Sequence, residues 1–228
     1  MTDLQAGHGT PLSLIRRACR LAMAAQPHLI CLTGDFAADD ATDLRPILAV
    51  LAELDAHLEV YAVPGNHDYK LGIERWHDQI EDAQTITDLT NAVVLRRFQG
   101  TWFCIGGVDS FSKGSPRLDL PGQQQQVGCT LLLAHNLDQA EHLNTLAQSV
   151  DLVLAGHTHG GQVRLPFVGA LRNPARHRDI YESGLYHRPA TQVYVSRGSG
   201  TVHLPIRFLC RPEVAILELA HADPDATG

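Results

Sequence analysis

Apolar positions along this chain follow two rhythms. Leu12, Ile15, Ala18, Cys19 and Ala22 recur at helical spacing behind Thr10-Pro11, a capping residue followed by a proline suited to a first helical position, and Pro27 stops the run. Residues 28–33 (HLICLT) are then a continuous apolar burst of strand length. The helical rhythm returns over 42–57, with Ile47, Leu48, Leu51 and Leu54 on one side, and 58–63 is a second strand stopped by Pro64-Gly65. Strand, helix, strand at this pitch predicts βαβ units, a largely parallel sheet and an α/β fold.

Further on, 73–83 reads as a short helix, and 93–95 with 102–108 as a hairpin joined near Gln99-Gly100. The glutamine-rich stretch 121–126 reads as a solvated loop. Near-continuous apolar strands are expected at 129–134 and 152–155, with a helix over 138–148 between them. The end turns to β at 192–196, 202–208 and 214–219, and 221–228 reads as a frayed tail. No internal repeat or linker breaks the pattern, so 1–220 is expected to be one domain.

Composition narrows the class. At 228 residues with 44% hydrophobic and 19% charged positions, the chain is long enough for a sizeable core. Five cysteines without a CxxC pair argue against a zinc ribbon or a disulfide framework, and Cys31, Cys104 and Cys129 sit in apolar runs as core thiols. The longest uninterrupted apolar run, 47–52, is far short of the roughly 18 residues a membrane span needs. A net charge of −7 has the wrong sign for a general nucleic-acid binder, so no nucleic-acid partner is expected. Thirteen histidines outnumber Phe and Tyr together, an excess for which metal binding is the first explanation.

That explanation gains weight from the residues at the strand ends. Asp3 and Gln5 lie at the start; Gly34-Asp35, Gly65-Asn66-His67-Asp68, His135 and Gly156-His157-Thr158-His159 each come directly after an apolar run. Ligands of open α/β sheets bind beyond the carboxyl ends of the strands, so these groups are expected to converge on one crevice. Any one of them alone is an ordinary turn or surface residue; their conjunction carries the inference. Asp oxygen and His nitrogen without Cys form a borderline-hard donor set suited to Mn²⁺, Fe or Zn²⁺. Six such groups (Asp3, Asp35, Asn66, His135, His157 and His159) exceed one ion and suit two sharing a carboxylate.

At these residues the sequence resembles the calcineurin-like metallophosphoesterases, and among them the bacterial GHTHGGQ branch of YkuE type. GHTHGGQVRLP at 156–166, residues 194–200 and the closing Arg211-Pro212-Glu213 carry the resemblance, which extends over nearly the whole chain. It implies a four-layer α/β/β/α sandwich with two mixed sheets and a hydrolase of phosphate mono- or diesters, nucleotide- or lipid-linked among them, with two divalent ions, Mn²⁺ foremost. It also implies roles. Asp35 bridges the ions, Asp3 and His159 hold the first, and Asn66, His135 and His157 hold the second. A bridging hydroxide attacks, His67 serves the leaving oxygen or the phosphoryl charge, and Asp68 orients His67. The family usually has a histidine where Gln5 stands, so Gln5 is expected to hold the first ion more weakly. The acid usual three places after the bridging Asp is absent at Ala38, with Asp39 one place later. The alternative is a scaffold of the same fold with weak or no catalysis.

Asp3 falls so near the start that the first strand is expected to be truncated, leaving a cytoplasmic or membrane-peripheral location open. Between 160 and 212 stand eight arginines against Asp179 and Glu182. They read either as solvated hairpin residues or as a cationic wall for a small phosphoester, with Arg164 and Arg197 nearest the motifs. The apolar run 165–171 reads as β core in preference to a lipid-phosphate or membrane contact.

Overall fold

The computed structural model describes residues 1–7, 9–38, 42–118, 120, 127–137, 150–171, 181–189 and 191–220. The first half runs α1 (Leu12–Ala24), β1 (Leu29–Thr33), α2 (Arg45–Leu51), β2 (Glu59–Val63), α3 (Asp68–Leu71), α4 (Ile73–Ala83), β3 (Thr87–Asp88), β4 (Ala92–Phe98) and β5 (Thr101–Gly107). The second runs β6 (Cys129–Leu133), β7 (Leu152–Ala155), β8 (Arg164–Leu165), β9 (Gly169–Ala170), β10 (Gly184–His187) and β11 (Gln192–Val195). A 3-10 turn at His159–Gly161 follows β7.

β1, β2 and β3 form a parallel sheet. The second sheet has the order β10-β11-β7-β6-β5-β4; its four inner strands are parallel and its two edge strands antiparallel. Side chains alternate between faces along each strand, and both faces are buried, which is why these strands read as unbroken apolar runs. Tyr61, Val63, Leu131, Leu133 and Leu152 fill the space between the sheets. The alternate positions Val60 and Ala62 face a helical layer of α1, α2 and α4, while Leu132, Val153 and Ala155 serve a cluster on the far side of the larger sheet. In α4, Trp76 and Ile80 lie one turn apart and are fully buried, with Trp76 set edge-on to Phe36 at 5.7 Å.

This is the mixed α/β sandwich expected, with specific differences. The smaller sheet is wholly parallel among the described residues, not mixed. Residues 1–6 run beside β1 without forming a strand of their own: the Met1 N-terminal nitrogen donates to Cys31 O at 2.7 Å and Thr33 N donates to Met1 O at 3.0 Å. Thr10 does not cap α1; its hydroxyl accepts from Thr201 N at 3.0 Å, and Pro11 takes the cap position. The helix predicted over 42–57 shortens to α2, with Pro46 in its first turn. The strand predicted over 202–208 is reduced to one bridge, Val163 with Phe208, because the Gln162 side chain donates to the carbonyls of Val202 and Leu204 that a ladder would use. Residues 214–219 make no strand pairing; Val214 packs on the core, and Ile216 and Leu219 stay exposed. The run 165–171 is not β core either: it is a small hairpin, β8–β9, whose Phe167 and Val168 are exposed. The helix predicted over 138–148, the glutamine loop, Asp39 and the tail lie outside the described residues. No helix of the described residues is long and apolar enough to cross a membrane.

Candidate metal centre

The parallel strands deliver their chemistry at one end. Asp35 follows β1, Asn66 and His67 follow β2, His135 follows β6, and His157 follows β7. The turns are tight: Asp3, Gln5, Asp35, His157 and His159 all hold left-handed backbone conformations, with φ between 47° and 70°. Such conformations cost about 1–3 kcal/mol each and persist where surrounding contacts enforce them. Here the contacts are visible. Asp3 N and Gln5 N donate to the carbonyls of Gly34 and Asp35, both at 3.0 Å. The buried carboxylate of Asp68 accepts from Asp35 N (2.9 Å), Gly65 N (2.8 Å) and Phe36 N (2.9 Å), clasping the turn after β1 to the turn after β2.

Asp35 is the hub. One oxygen accepts from His67 N and the other from Gln5 Nε2, each at 2.8 Å. His135 Nε2 lies 3.3 Å and His67 Nε2 3.9 Å from Asp35 Oδ2. Candidate ligand atoms of Asp35, His135 and His157 gather within 4.8 Å of one another, and so do those of Asp3, Asp35 and His159. Asp35 belongs to both groups. His159 Nε2 stands 3.3 Å from Asp3 Oδ1, and His157 N donates to the same carboxylate at 3.0 Å. The rings of His135 and His157 meet edge-on at 5.2 Å.

These residues fit divalent cations. Gln5 Oε1, Asn66 Oδ1 and His135 Nε2 are buried without a hydrogen-bond partner, three electron-pair donors left unsatisfied in a polar centre. His135 Nδ1 is held at 2.7 Å by the Thr33 carbonyl, which fixes the proton there and leaves Nε2 as the ligand atom. Burial works against charge on Asp35, yet His135 and then His67 hold it well below the usual carboxylate range. Burial likewise opposes charge on His135, and the Asp35 carboxylate overrides it, raising the ring to about 10. His159 is moved down, by burial first and by the neighbouring Arg207 guanidinium. For Asp68, burial and then the Asp35 charge raise the pKa to about 7.

Arg164 and Arg197 flank the centre, but each has a carboxylate partner. Arg164 pairs with Glu182, and Arg197 pairs with Glu213, whose oxygen lies 2.5 Å from Arg197 Nε. They are counter-charged, which sets them apart from a bare cationic wall, one of the two readings the sequence allows. The arginine most embedded here is Arg207, which its spacing does not set apart from the other seven. It donates to the carbonyls of His159 (3.1 Å), Arg197 (2.8 Å) and Gly200 (2.6 Å), tying the histidine turn to the turn after β11. Cys210 Sγ adds a contact to His159 O at 3.2 Å. No spacing signals either residue, because both act through backbone carbonyls of distant turns.

Parallel strands ending in an acid, amide and imidazole cluster define a candidate metal-binding centre. The model of the calcineurin-like phosphoesterase family matches residues 1–161, and the chain belongs to that family, whose members generally use two divalent ions. It is a phosphoric ester hydrolase. Relatives include Phosphodiesterase YaeI of Escherichia coli, 33% identical over 96% of this chain and 80% of its own length. The metallophosphoesterase YkuE of Bacillus subtilis is 32% identical over 86% of this chain and 68% of its own. A Danio rerio protein named transmembrane protein with metallophosphoesterase domain is 29% identical over 97% of this chain, which spans about half (52%) of that relative. The solved NAD nucleotidase NadN of Haemophilus influenzae shares the fold, with TM-score 0.52 and 18% identity over 83% of this chain and 44% of its own.

Proposed function

We propose that this centre hydrolyses phosphate mono- or diesters with two divalent ions, Mn²⁺ suiting the oxygen and imidazole donors best and Fe or Zn²⁺ next. The observation that carries the reading is the membership of Asp35 in both ligand groups. Asp3, Gln5, Asp35 and His159 would hold one ion, and Asp35, Asn66, His135 and His157 the other. Bound by these residues, two divalent ions would supply positive charge for the phosphoryl oxygens and would lower the pKa of a water for in-line attack. His67 is placed for proton work: its backbone is pinned to Asp35, and its ring lies at the edge of the centre, 9% exposed. It donates a proton to the departing oxygen or hydrogen-bonds a phosphoryl oxygen. Asp68 keeps the His67 turn seated against Asp35. Arg164 and Arg197, though counter-charged, would bind substrate phosphate by exchanging a carboxylate for it.

The name of the E. coli relative favours diesters, and the Danio rerio relative's name favours a place beside a membrane. The test is turnover of a bis-aryl phosphate after metal loading. Hydrolysis is expected to require Mn²⁺ and to vanish in Asp35→Asn. His67→Asn should keep its metal and lose roughly 10²–10⁴-fold in kcat. Metal-loaded protein that turns over no phosphoester would overturn the proposal.

A further inference from the structure

Two neighbouring turns beside the metal centre expose large apolar side chains. The β8–β9 hairpin presents Leu165, Phe167 and Val168; Phe167 at its tip is wholly exposed and Val168 is 69% exposed. The turn at 204–209 presents Ile206, Phe208 and Leu209, each more than half exposed. The two turns are knitted into one strip: Arg164 N donates to Phe208 O at 2.9 Å, and Phe208 N donates to Gln162 O at 3.0 Å. Gln162 directly follows the 3-10 turn that carries His159, so the strip begins where the candidate ligands end. Isolated surface leucines need no explanation, but a protruding group of large apolar residues from two joined turns does.

The charge around the strip identifies what covers it. A chain of net charge −7 is repelled by an anionic surface as a whole. Its stretch from 160 to 212 nonetheless carries eight arginines against two acids in the sequence; among the described residues, Arg164 pairs with Glu182, Arg197 with Glu213, and Arg207 is held on backbone carbonyls. Arg211 is exposed two residues beyond Leu209. Apolar tips beside an exposed guanidinium group match a lipid surface, whose acyl layer receives the tips and whose anionic headgroups receive the cation. A flat protein partner would leave a fully projecting tip such as Phe167 only partly covered.

We infer that the hairpin around Phe167 and the turn around Phe208 dock onto an anionic phospholipid surface, with the metal centre turned towards phosphoesters at that surface. The docking stands on exposure and charge alone; the presentation of substrate rests on the proposed hydrolase activity.

Flotation with vesicles of phosphatidylcholine containing about 30% phosphatidylglycerol tests the docking, without metal and without turnover. The full chain should float with these vesicles, bind pure phosphatidylcholine less, and be released by salt. The double variant Phe167→Ser/Phe208→Ser should partition at least about tenfold less, since each phenyl ring contributes on the order of one decade when buried. Both positions are exposed, so the variant should fold, and its turnover of a soluble bis-aryl phosphate should match the parent. Absence of vesicle binding, or equal binding by parent and variant, would overturn the inference. So would sedimentation showing that the parent self-associates through these residues and the variant is monomeric. Vesicle binding with no phosphoester turnover would instead leave the docking standing and sink the hydrolase reading.

Discussion

Gly65→Ala should damage the centre through a single methyl group. A Cβ at Gly65 would stand 2.8 Å from Asp35 Cγ, with Asp35 N and Oδ1 closer still. Ordinary contact begins near 3.4 Å, so the shared carboxylate must retreat by about 1 Å, and its backbone, held in the left-handed region, has nowhere compliant to go. Overpacking of this kind costs about 1–3 kcal/mol, which for a chain of this length lowers Tm by roughly 2–12 °C. A displacement of about 1 Å at a group that both ions share is worth on the order of 10²-fold in rate. Gly156→Ala is the matched comparison. Its Cβ would stand 2.8 Å from Thr2 Cγ2 and closer to Asp3 Oδ2, so it presses directly on the Asp3–His159 group and not on Asp35. Thermal unfolding, metal analysis and turnover of a bis-aryl phosphate read both variants. Gly65→Ala should lose both ions and Gly156→Ala mainly one. A Gly65→Ala protein with metal content and kcat within twofold of the parent would refute the reasoning.

Gln5→Glu places a second carboxylate against Asp35, so it should lower the Tm in chelator and widen the gain on adding Mn²⁺, because stabilisation by a ligand grows with affinity; an unchanged gap between the two melts contradicts it. Arg207→Lys retains charge but loses the planar fork across three carbonyls; a fall of about 1–3 kcal/mol in urea unfolding is expected, with weaker binding of the ion beside His159 in calorimetry. Burial alone would raise Glu213, but hydrogen bonds and charge from Arg197 hold it below its ordinary value of 4.5. Its contribution is therefore fully present above about pH 4.5 and lost as pH falls through the lower folded value. Glu213→Gln should flatten that acid limb of the Tm profile, and an unchanged limb would assign the loss to other carboxylates.

The strands and the site were legible in the sequence because both are written locally. Residues 152–155 and 73–83 appear with the predicted bounds, since turn formers and charged flanks delimit each run. Asp35, Asn66, His135 and His157 each come after a strand, so predicting the strands also located them. What was not legible depends on distant partners. The run 165–171 has the composition of core, but among the described residues no second layer covers it. Residues 202–208 look like a strand until the Gln162 amide takes their carbonyls. Glu182 and Glu213, which neutralise Arg164 and Arg197, lie 18 and 16 positions away and signal nothing by spacing. Arg207 and Cys210 are likewise invisible, because they hold main-chain atoms whose positions only the fold determines.

The central claim is that Asp35 serves two cations at once, and ion stoichiometry tests it most directly. Elemental analysis of the chain after loading with Mn²⁺ and removal of unbound metal should give two ions per chain for the parent and fewer than one for Asp35→Asn, with both proteins folded by circular dichroism. Two ions retained by Asp35→Asn, or a single ion in a parent protein that turns over phosphoesters at full rate, would contradict it.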